Sequence, residues 1–436
     1  MAMALPGGEG PLSHPPRGAL RLMVISNNYP PHTLGGYELL CRDHVAWLTG
    51  RGHAVMVVTS RHGTSAAAAG DERGDHGERI RRVLDFHWRD FEHARPAAAR
   101  LWAGEWRQRR ALLRALREQR PQGALVWHMG AISKSLLAVL HGAGVPAVAV
   151  VGEPWLLWDI EADAWLSLWR RPAVRRRARL AKPVLRPLAA RWVAPTDIDA
   201  ALAAMRPLYA SEHLRREVEN GLPAWRDHGA VVPNGINAEL FARPRAADAP
   251  LRSPLRLLYA GRVEPRKGVH TAIEALASAN AAGCASRLTV AGWQDRAYAA
   301  ELTRRAAELG VDGMVEWLGA LPREAMPELY HDHDVLLFPS VWAEPFGLVP
   351  LEAMAASCVV VATGTGGSAD FLRGGDNCLL VPPQDPDAIV AAILRLRGDP
   401  GLVARLRRGG GATLAAHSFD AYAARLEAQL SALINA

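Results

Sequence analysis

Eleven short apolar runs, each followed by a longer Ala-, Leu- and Arg-rich stretch, constrain the fold more than any other feature of this chain. They fall at 21–26, 54–60, 124–128, 145–152 and 191–196, and then at 255–262, 286–293, 315–321, 334–340, 358–363 and 377–383. Continuous apolar strands alternating with helices belong to parallel sheets covered by helices on both faces. Five runs in the first half and six in the second predict an α/β protein of two doubly wound, Rossmann-like domains. A chain of 436 residues also exceeds what one compact core holds. Two such domains leave a cleft between the carboxyl ends of their strands, where ligands of open α/β sheets collect.

The expected boundaries follow from this pattern. Residues 1–20, rich in Pro and Gly and without a signal-peptide core, read as a disordered tail. The first domain spans 21–233 and the second 234–417, with the hinge at Val232-Pro233-Asn234-Gly235-Ile236-Asn237, an Asn-Gly turn between the two strand sets. Residues 418–436 read as a closing helix capped by Ser418 or Asp420, packing back toward the first domain. After Gly36, Tyr37, Leu40, Cys41, Val45 and Leu48 fall at helical spacing and stop at Gly50 and Gly52. No apolar run approaches ~20 residues, so no membrane span is expected. Cys41, Cys284, Cys358 and Cys378 form no C-x-x-C pair and read as buried free thiols of a reducing cytoplasm.

The net charge of +7 is concentrated in one place. From Arg170 to Arg191 there are nine basic residues and no acidic one, with Trp155, Trp158, Trp165 and Trp169 upstream. That pattern fits a peripheral contact with an anionic membrane surface or an anionic acceptor. It equally fits a solvated surface in a chain that uses Arg almost to the exclusion of Lys.

The chemistry gathers at strand ends. Glu344 and Glu352 sit eight positions apart after the run 334–340, in Glu344-Pro345-Phe346-Gly347-Leu348-Val349-Pro350-Leu351-Glu352. A charge between buried segments is costly without a partner, so a polar ligand is implied. Pro345 and Gly347 put Glu344 in a loop, and Pro350 is tolerated only in a first helical turn. The amides of Gly347 and Leu348 then open the helix as an anion site. Alternatively, Glu344 caps that helix and Glu352 is a surface acid. Gly261-Arg262 and Lys267-Gly268 follow the first strand of the second domain, where a planar guanidinium and a compact ammonium suit two phosphates. Only three of the 51 Lys and Arg residues are lysines, and Lys267 is the only one in the second domain. Gly35-Gly36 ends a loop just before a helix, where a phosphate could approach the backbone. His128 ends the strand 124–128 and is expected to point into the cleft. The pairs Asp197/Asp199, Asp332/Asp334 and Asp385/Asp387 read as a helix start, a strand lead-in and a turn, with no metal centre expected.

These segments together resemble the family-4 retaining glycosyltransferases of the GT-B fold. The shared pattern runs through Tyr29-Pro30-Pro31, Gly35-Gly36, the 232–237 turn, Gly261-Arg262, Lys267-Gly268, Gly319-Ala320-Leu321-Pro322, Phe338-Pro339-Ser340, Glu344 to Glu352 and Gly366-Gly367, in order from about residue 21 to 435. The resemblance implies sugar transfer from a UDP-, GDP- or ADP-sugar to a glycan or lipid-linked acceptor, in cell-envelope or exopolysaccharide synthesis; the basic, Trp-flanked stretch points to the cytoplasmic membrane face as its expected location. The resemblance implies no cofactor, no metal and no nucleic-acid partner. Carried over by position, Arg262 and Lys267 bind the donor diphosphate, Glu344 the sugar hydroxyls, and Glu352 the ribose. Leu321 meets the base through its backbone, Gly35, Gly36, Gly347 and Leu348 support the phosphates, and His128 lies near the donor sugar. Glu153 is offered as an acceptor contact, against a loop acid or salt-bridge partner. Ala291-Gly292-Trp293-Gln294 departs from the family pattern near the base, and Asn377-Cys378 at the expected outer wall of the donor site. A catalytically silent GT-B binding partner in a glycan-assembly complex is the alternative from another class, and a phosphorylase or epimerase a third.

Overall fold

The structure, a computed structural model, describes residues 18–33, 35–64, 71–89, 92–93, 96–172, 176–243 and 245–436. Most of the expected N-terminal tail, and Arg175 in the basic stretch, lie outside these residues.

Strands β1 (Arg21–Ser26), β2 (Ala54–Ser60), β3 (Asp71–Arg73), β4 (Arg79–Leu84), β7 (Gly123–His128), β8 (Ala147–Val151), β9 (Arg206–Tyr209) and β10 (Ala230–Val231) form the first sheet; β5 (Trp88–Arg89) and β6 (Glu92–His93) form a separate two-stranded ribbon. The order is β10-β9-β8-β7-β1-β2-β4-β3, parallel except for β3. The second sheet is wholly parallel: β11 (Leu255–Ala260), β12 (Ser286–Ala291), β13 (Val315–Gly319), β14 (Val335–Phe338), β15 (Val359–Ala362) and β16 (Leu379–Leu380), in the order β13-β12-β11-β14-β15-β16. The direction of winding reverses between β1 and β7 and again between β11 and β14. A crevice opens at such reversals, outside the carboxyl ends of the strands.

The central strands are Val-, Leu- and Ile-rich and buried along their length, because helices cover both faces. One apolar core joins the two domains through Ile236 and Phe241, near the turn at 232–237. A second lies behind the second sheet and a third behind the first. The last helix, Phe419–Ile434, contributes Tyr422, Leu426 and Leu430 to that third core and so belongs spatially to the first domain. The hinge strand is pinned to this crossing, since Ile236 N–H donates to His417 O at 2.9 Å and Phe419 N–H to Ile236 O at 3.0 Å.

One strand reading needs correction, and two strands of the first sheet, β4 and β9, were not among the expected runs. Residues 191–196 are not a strand: Arg191 and Trp192 close the helix Arg176–Trp192, and an irregular segment follows. A short apolar run carries no periodicity that separates strand from helix end. The strand in that region is β9, which contains Pro207. β10 reaches only Leu208 and Tyr209, so Pro207 has no strand on its other side and its missing N–H is tolerated. β4, which is not among the apolar runs, is buried because Arg81 pairs with Asp71 and Glu118, and Arg82 with Glu72 at 2.7 Å. Trp155, Trp165 and Trp169 are core residues rather than an interfacial belt, and of the four only Trp158 is exposed.

At the mouth of the second sheet, Gly261 N–H donates to Ala291 O and Gly292 N–H to Gly319 O. Gly292 has φ +143, and a Cβ there would stand 1.8 Å from Gly261 O. Gly292→Ala should therefore destabilise the second domain by at least about 2 kcal/mol in denaturant unfolding. Gly313→Ala, which meets nothing within 4 Å, should stay near wild type. Equal midpoints for the two variants would contradict this packing.

Candidate active site

The segments following β1, β11, β13 and β14, with the hinge at 232–237, supply most of one cleft. Its cavity is about 490 Å³, and its wall includes Gly35, Gly36, Arg262, Lys267, Leu321, Glu344, Gly347, Leu348 and Glu352. These nine sequence-predicted residues come from the loops after β1, β11, β13 and β14.

Lys267 sits on the 3-10 turn Pro265–Lys267, closed by Gly268 in the left-handed region, φ +73. Its Nζ donates to both carboxylate oxygens of Glu344, at 2.7 and 2.9 Å. Ser340 Oγ donates to the same carboxylate at 2.6 Å. The Glu344 side chain is 6% exposed and that of Lys267 15%, so the pair is largely dry. Burial pulls the Lys267 ammonium pKa down, with the Glu344 charge opposing. Arg262 is half-exposed in the cleft, with Nη2 3.4 Å from Glu264. Arg266 lies 4.0 Å above the Trp342 ring, and Lys267 5.1 Å from it. Two cations, Arg262 and Lys267, thus line one corner of the cavity.

The helix Leu348–Ala355 starts from Gly347 at φ +94, a conformation that favours glycine. Its first-turn amides, which have no intrahelical acceptor, face the cavity. Pro350 is in that first turn, and Glu352 comes one turn later. Glu352 accepts from Tyr330 Oη at 2.7 Å. Burial raises its pKa, opposed by the Tyr330 hydrogen bond and the Arg323 charge. Across the cleft, Gly35 and Gly36 precede the helix Gly36–Gly50, and Gly35 N–H donates to Glu38 Oε2 at 3.0 Å. A Cβ on either glycine would meet nothing within 4 Å, so the protein's own packing does not require glycine there. The room is left on the cavity side.

His128 departs from its expected place. The cavity wall there is Tyr37 and Gly152, and His128 stands edge-on to the Tyr37 ring at 5.6 Å, 8% exposed. Its Nε2 is 2.5 Å from Glu153 Oε1, and Gly130 N–H donates to Nδ1 at 3.2 Å. Glu153 is therefore the salt-bridge partner of His128. Burial acts to lower the His128 pKa, but the carboxylates of Glu153, Glu38 and Asp159 outweigh it and raise the value. Burial acts to raise the Glu153 pKa, but His128 holds it down, aided by Arg262 and Arg266.

Asn377 and Cys378 do not form a donor wall. Asn377 is buried and bonded to Phe371 O and Thr413 Oγ1, and Cys378 is in the core. Trp293 does line the cleft. The Asp pairs are structural: Asp197 accepts from Asp199 N–H, Asp334 pairs with Arg252 at 2.9 Å, and Asp385 caps the helix Pro386–Gly398. Among the described residues no three His, Cys, Asp or Glu side chains gather as metal ligands. Sequence reading missed Arg323, Tyr330, Ser340 and Trp342. Arg323 lines the cleft and bridges to Asp43 of the first domain. Ser340 lies inside the Phe338-Pro339-Ser340 segment without an assigned role; the other three have no local motif and are found only through their partners.

Two outcomes follow. Lys267→Met strands the Glu344 carboxylate and should cost about 3 kcal/mol of stability, whereas Lys267→Met with Glu344→Met should cost less than that single change. Additive losses in a denaturation cycle would rule out the coupling. For His128, the native pKa lies above the free-imidazole value of about 6.5. Its stabilising pairing is complete below that pH and fades as pH rises through the native value. Glu153→Gln should lower the His128 pKa in an NMR titration of its ring proton, and an unmoved titration would refute the pairing.

Comparison with known proteins agrees with this geometry. The profile of the family described as "Glycosyl transferases group 1" matches residues 246–411. The chain is 34% identical over 178 residues to glycogen synthase of Mycobacterium tuberculosis, covering 41% of this chain and 42% of that protein. It is 28% identical over 235 residues to the lipopolysaccharide 1,2-N-acetylglucosaminetransferase of Salmonella typhimurium, covering 50% and 60%. The chain thus spans less than two thirds of the length of these curated relatives. The Anabaena Alr3699/HepE structure in complex with UDP-glucose superposes with a TM-score of 0.66 at 17% identity, covering 94% of this chain and 99% of that one. The second domain of this protein is a glycosyl transferases group 1 domain, and the two sheets form a GT-B fold.

Proposed function

We propose that this protein is a retaining glycosyltransferase that moves a sugar from a nucleotide-sugar donor to a glycan or lipid-linked acceptor, in cell-envelope or exopolysaccharide synthesis. The carrying observation is that Arg262, Lys267 and the start of the helix Leu348–Ala355 meet in one cavity with Glu344 and Glu352. That is a site for a diphosphate flanked by hydroxyl groups. The group 1 domain supports the reading. So do the UDP-glucose held by the Anabaena protein and the lipopolysaccharide transfer named for the Salmonella relative.

In this reading the donor diphosphate lies between Arg262, Lys267 and the amides of Gly347 and Leu348. Glu344 holds the sugar hydroxyls, Glu352 the ribose hydroxyls, and the Leu321 backbone the base. Gly35 and Gly36 close on the phosphates from the first domain. The bond from the sugar's anomeric carbon to the diphosphate breaks as the bond to the acceptor oxygen forms on the same face. The acceptor proton passes to the departing diphosphate. Negative charge grows on that diphosphate, where the cations and amides are already placed to stabilise it without a metal. Binding must also exchange partners, because Lys267 is paired with Glu344 before the donor arrives. His128, held by Glu153, supports the first-domain wall beside the reacting sugar.

A thermal-shift screen against UDP-, GDP- and ADP-sugars should single out one donor, because a ligand of the native state raises its melting temperature. With that donor, Lys267→Ala and Arg262→Ala should each lower transfer by roughly 10²–10³. Full turnover in both variants would refute the assignment. Donor binding by the wild type with neither transfer nor hydrolysis would instead support a silent binding partner.

A further inference from the structure

The helix Arg176–Trp192 turns an apolar side to the solvent. Leu180, Val184, Leu188 and Trp192 recur at every fourth position and are 74%, 64%, 51% and 66% exposed, with Leu185 beside them. At about 100° per residue, these five side chains cover roughly 140° of the helix surface. Ala189 is buried on the inward side, and the half-buried Lys182 and Arg186 fall on that same half. A surface helix of a globular protein normally has the opposite polarity. A contiguous exposed stripe of this kind marks a contact surface.

The flanks of the stripe select the partner. No Asp or Glu occurs from residue 164 to 196, and nine Arg and Lys lie between Arg170 and Arg191. The acids that follow, Asp197 and Asp199, pair with Arg186 and Arg170. Arg179, Lys182 and Arg186 also wall a groove of about 430 Å³ with Trp169, Pro172 and Pro183. A second copy docked through the stripe would bring the exposed Arg191, which lies on that side, against another cationic surface, which opposes self-association through this face. A bilayer with anionic headgroups satisfies both features, taking the apolar stripe at its acyl boundary and the exposed Arg171, Arg179 and Arg191 at its phosphates.

We propose that this helix docks the protein on an anionic membrane surface. The helix is tied to the first domain, since Ala189 joins the first apolar core and Arg109 donates to Arg191 O at 2.7 Å. The segment carrying it leaves the first sheet after β8, where Gly152 walls the cleft, and returns at β9. The helix belongs to the first domain, the side from which a lipid-linked acceptor would enter. That last point rests on the proposed function; the surface itself does not.

The test is co-sedimentation of the full chain with phosphatidylglycerol-containing vesicles and with pure phosphatidylcholine vesicles. The wild type should bind the anionic vesicles preferentially, and less at high salt. Val184→Glu with Leu188→Glu should reduce that binding by about tenfold or more. Both positions are exposed, so the melting temperature and the nucleotide thermal shift should be unchanged. Absence of anionic-vesicle binding, equal binding to both vesicles, or unchanged binding by the variant would overturn the proposal. Micromolar self-association abolished by the same two changes would also overturn it, in favour of a second copy. Lost vesicle binding with intact transfer to a soluble acceptor would leave the enzymatic reading standing, and intact vesicle binding without transfer would do the reverse.

Discussion

In a parallel sheet every strand delivers its carboxyl end to the same side, and only a reversal of winding order opens room there for a ligand. This chain has one such reversal in each sheet, between β1 and β7 and between β11 and β14. The chemistry depends on that constraint. Gly35 and Gly36 follow β1, His128 ends β7, Arg262 and Lys267 follow β11, and Glu344 and Gly347 follow β14. The hinge at Ile236, pinned to His417 and Phe419, then sets the two reversals against each other.

In this arrangement the site's charges are paired with one another. Lys267 holds Glu344, Glu352 is held by Tyr330, and His128 holds Glu153. Dry charges require such partners, because leaving one alone costs several kcal/mol. On the proposed function, a bound diphosphate competes with Glu344 for Lys267. Arg262, half-exposed and 3.4 Å from Glu264, is the cation more readily available for a first encounter. On the proposed function, a dianionic ligand with hydroxyl groups satisfies the ammonium and the carboxylate together.

Much of this was legible in the sequence because strand ends carry their chemistry in contiguous segments. Gly261-Arg262 with Lys267-Gly268, and Glu344 with Gly347 and Leu348, can be read without knowing the fold. What escaped was set by distant partners. Arg81 and Arg82 make β4 look exposed until Asp71, Glu72 and Glu118 are placed beside them. Pro207 hides β9 until the short reach of β10 is known. Tyr37, which walls off His128, is held by Trp127 O and Val150 O from two other strands. The basic stretch was visible, but its outward apolar stripe required knowing which way the helix Arg176–Trp192 turns.

The central claim is that one cleft, formed at the two winding reversals, holds a nucleoside diphosphate against Arg262 and Lys267. The most direct measurement is a crystal structure with the nucleoside diphosphate of the donor selected by thermal shift. The predicted result has the two phosphates within hydrogen-bond reach of Arg262, Lys267 and the amides of Gly347 and Leu348. The same structure should show the ribose on Glu352. A diphosphate bound outside this cleft, or one that leaves the Lys267–Glu344 pair undisturbed and touches neither cation, would contradict it.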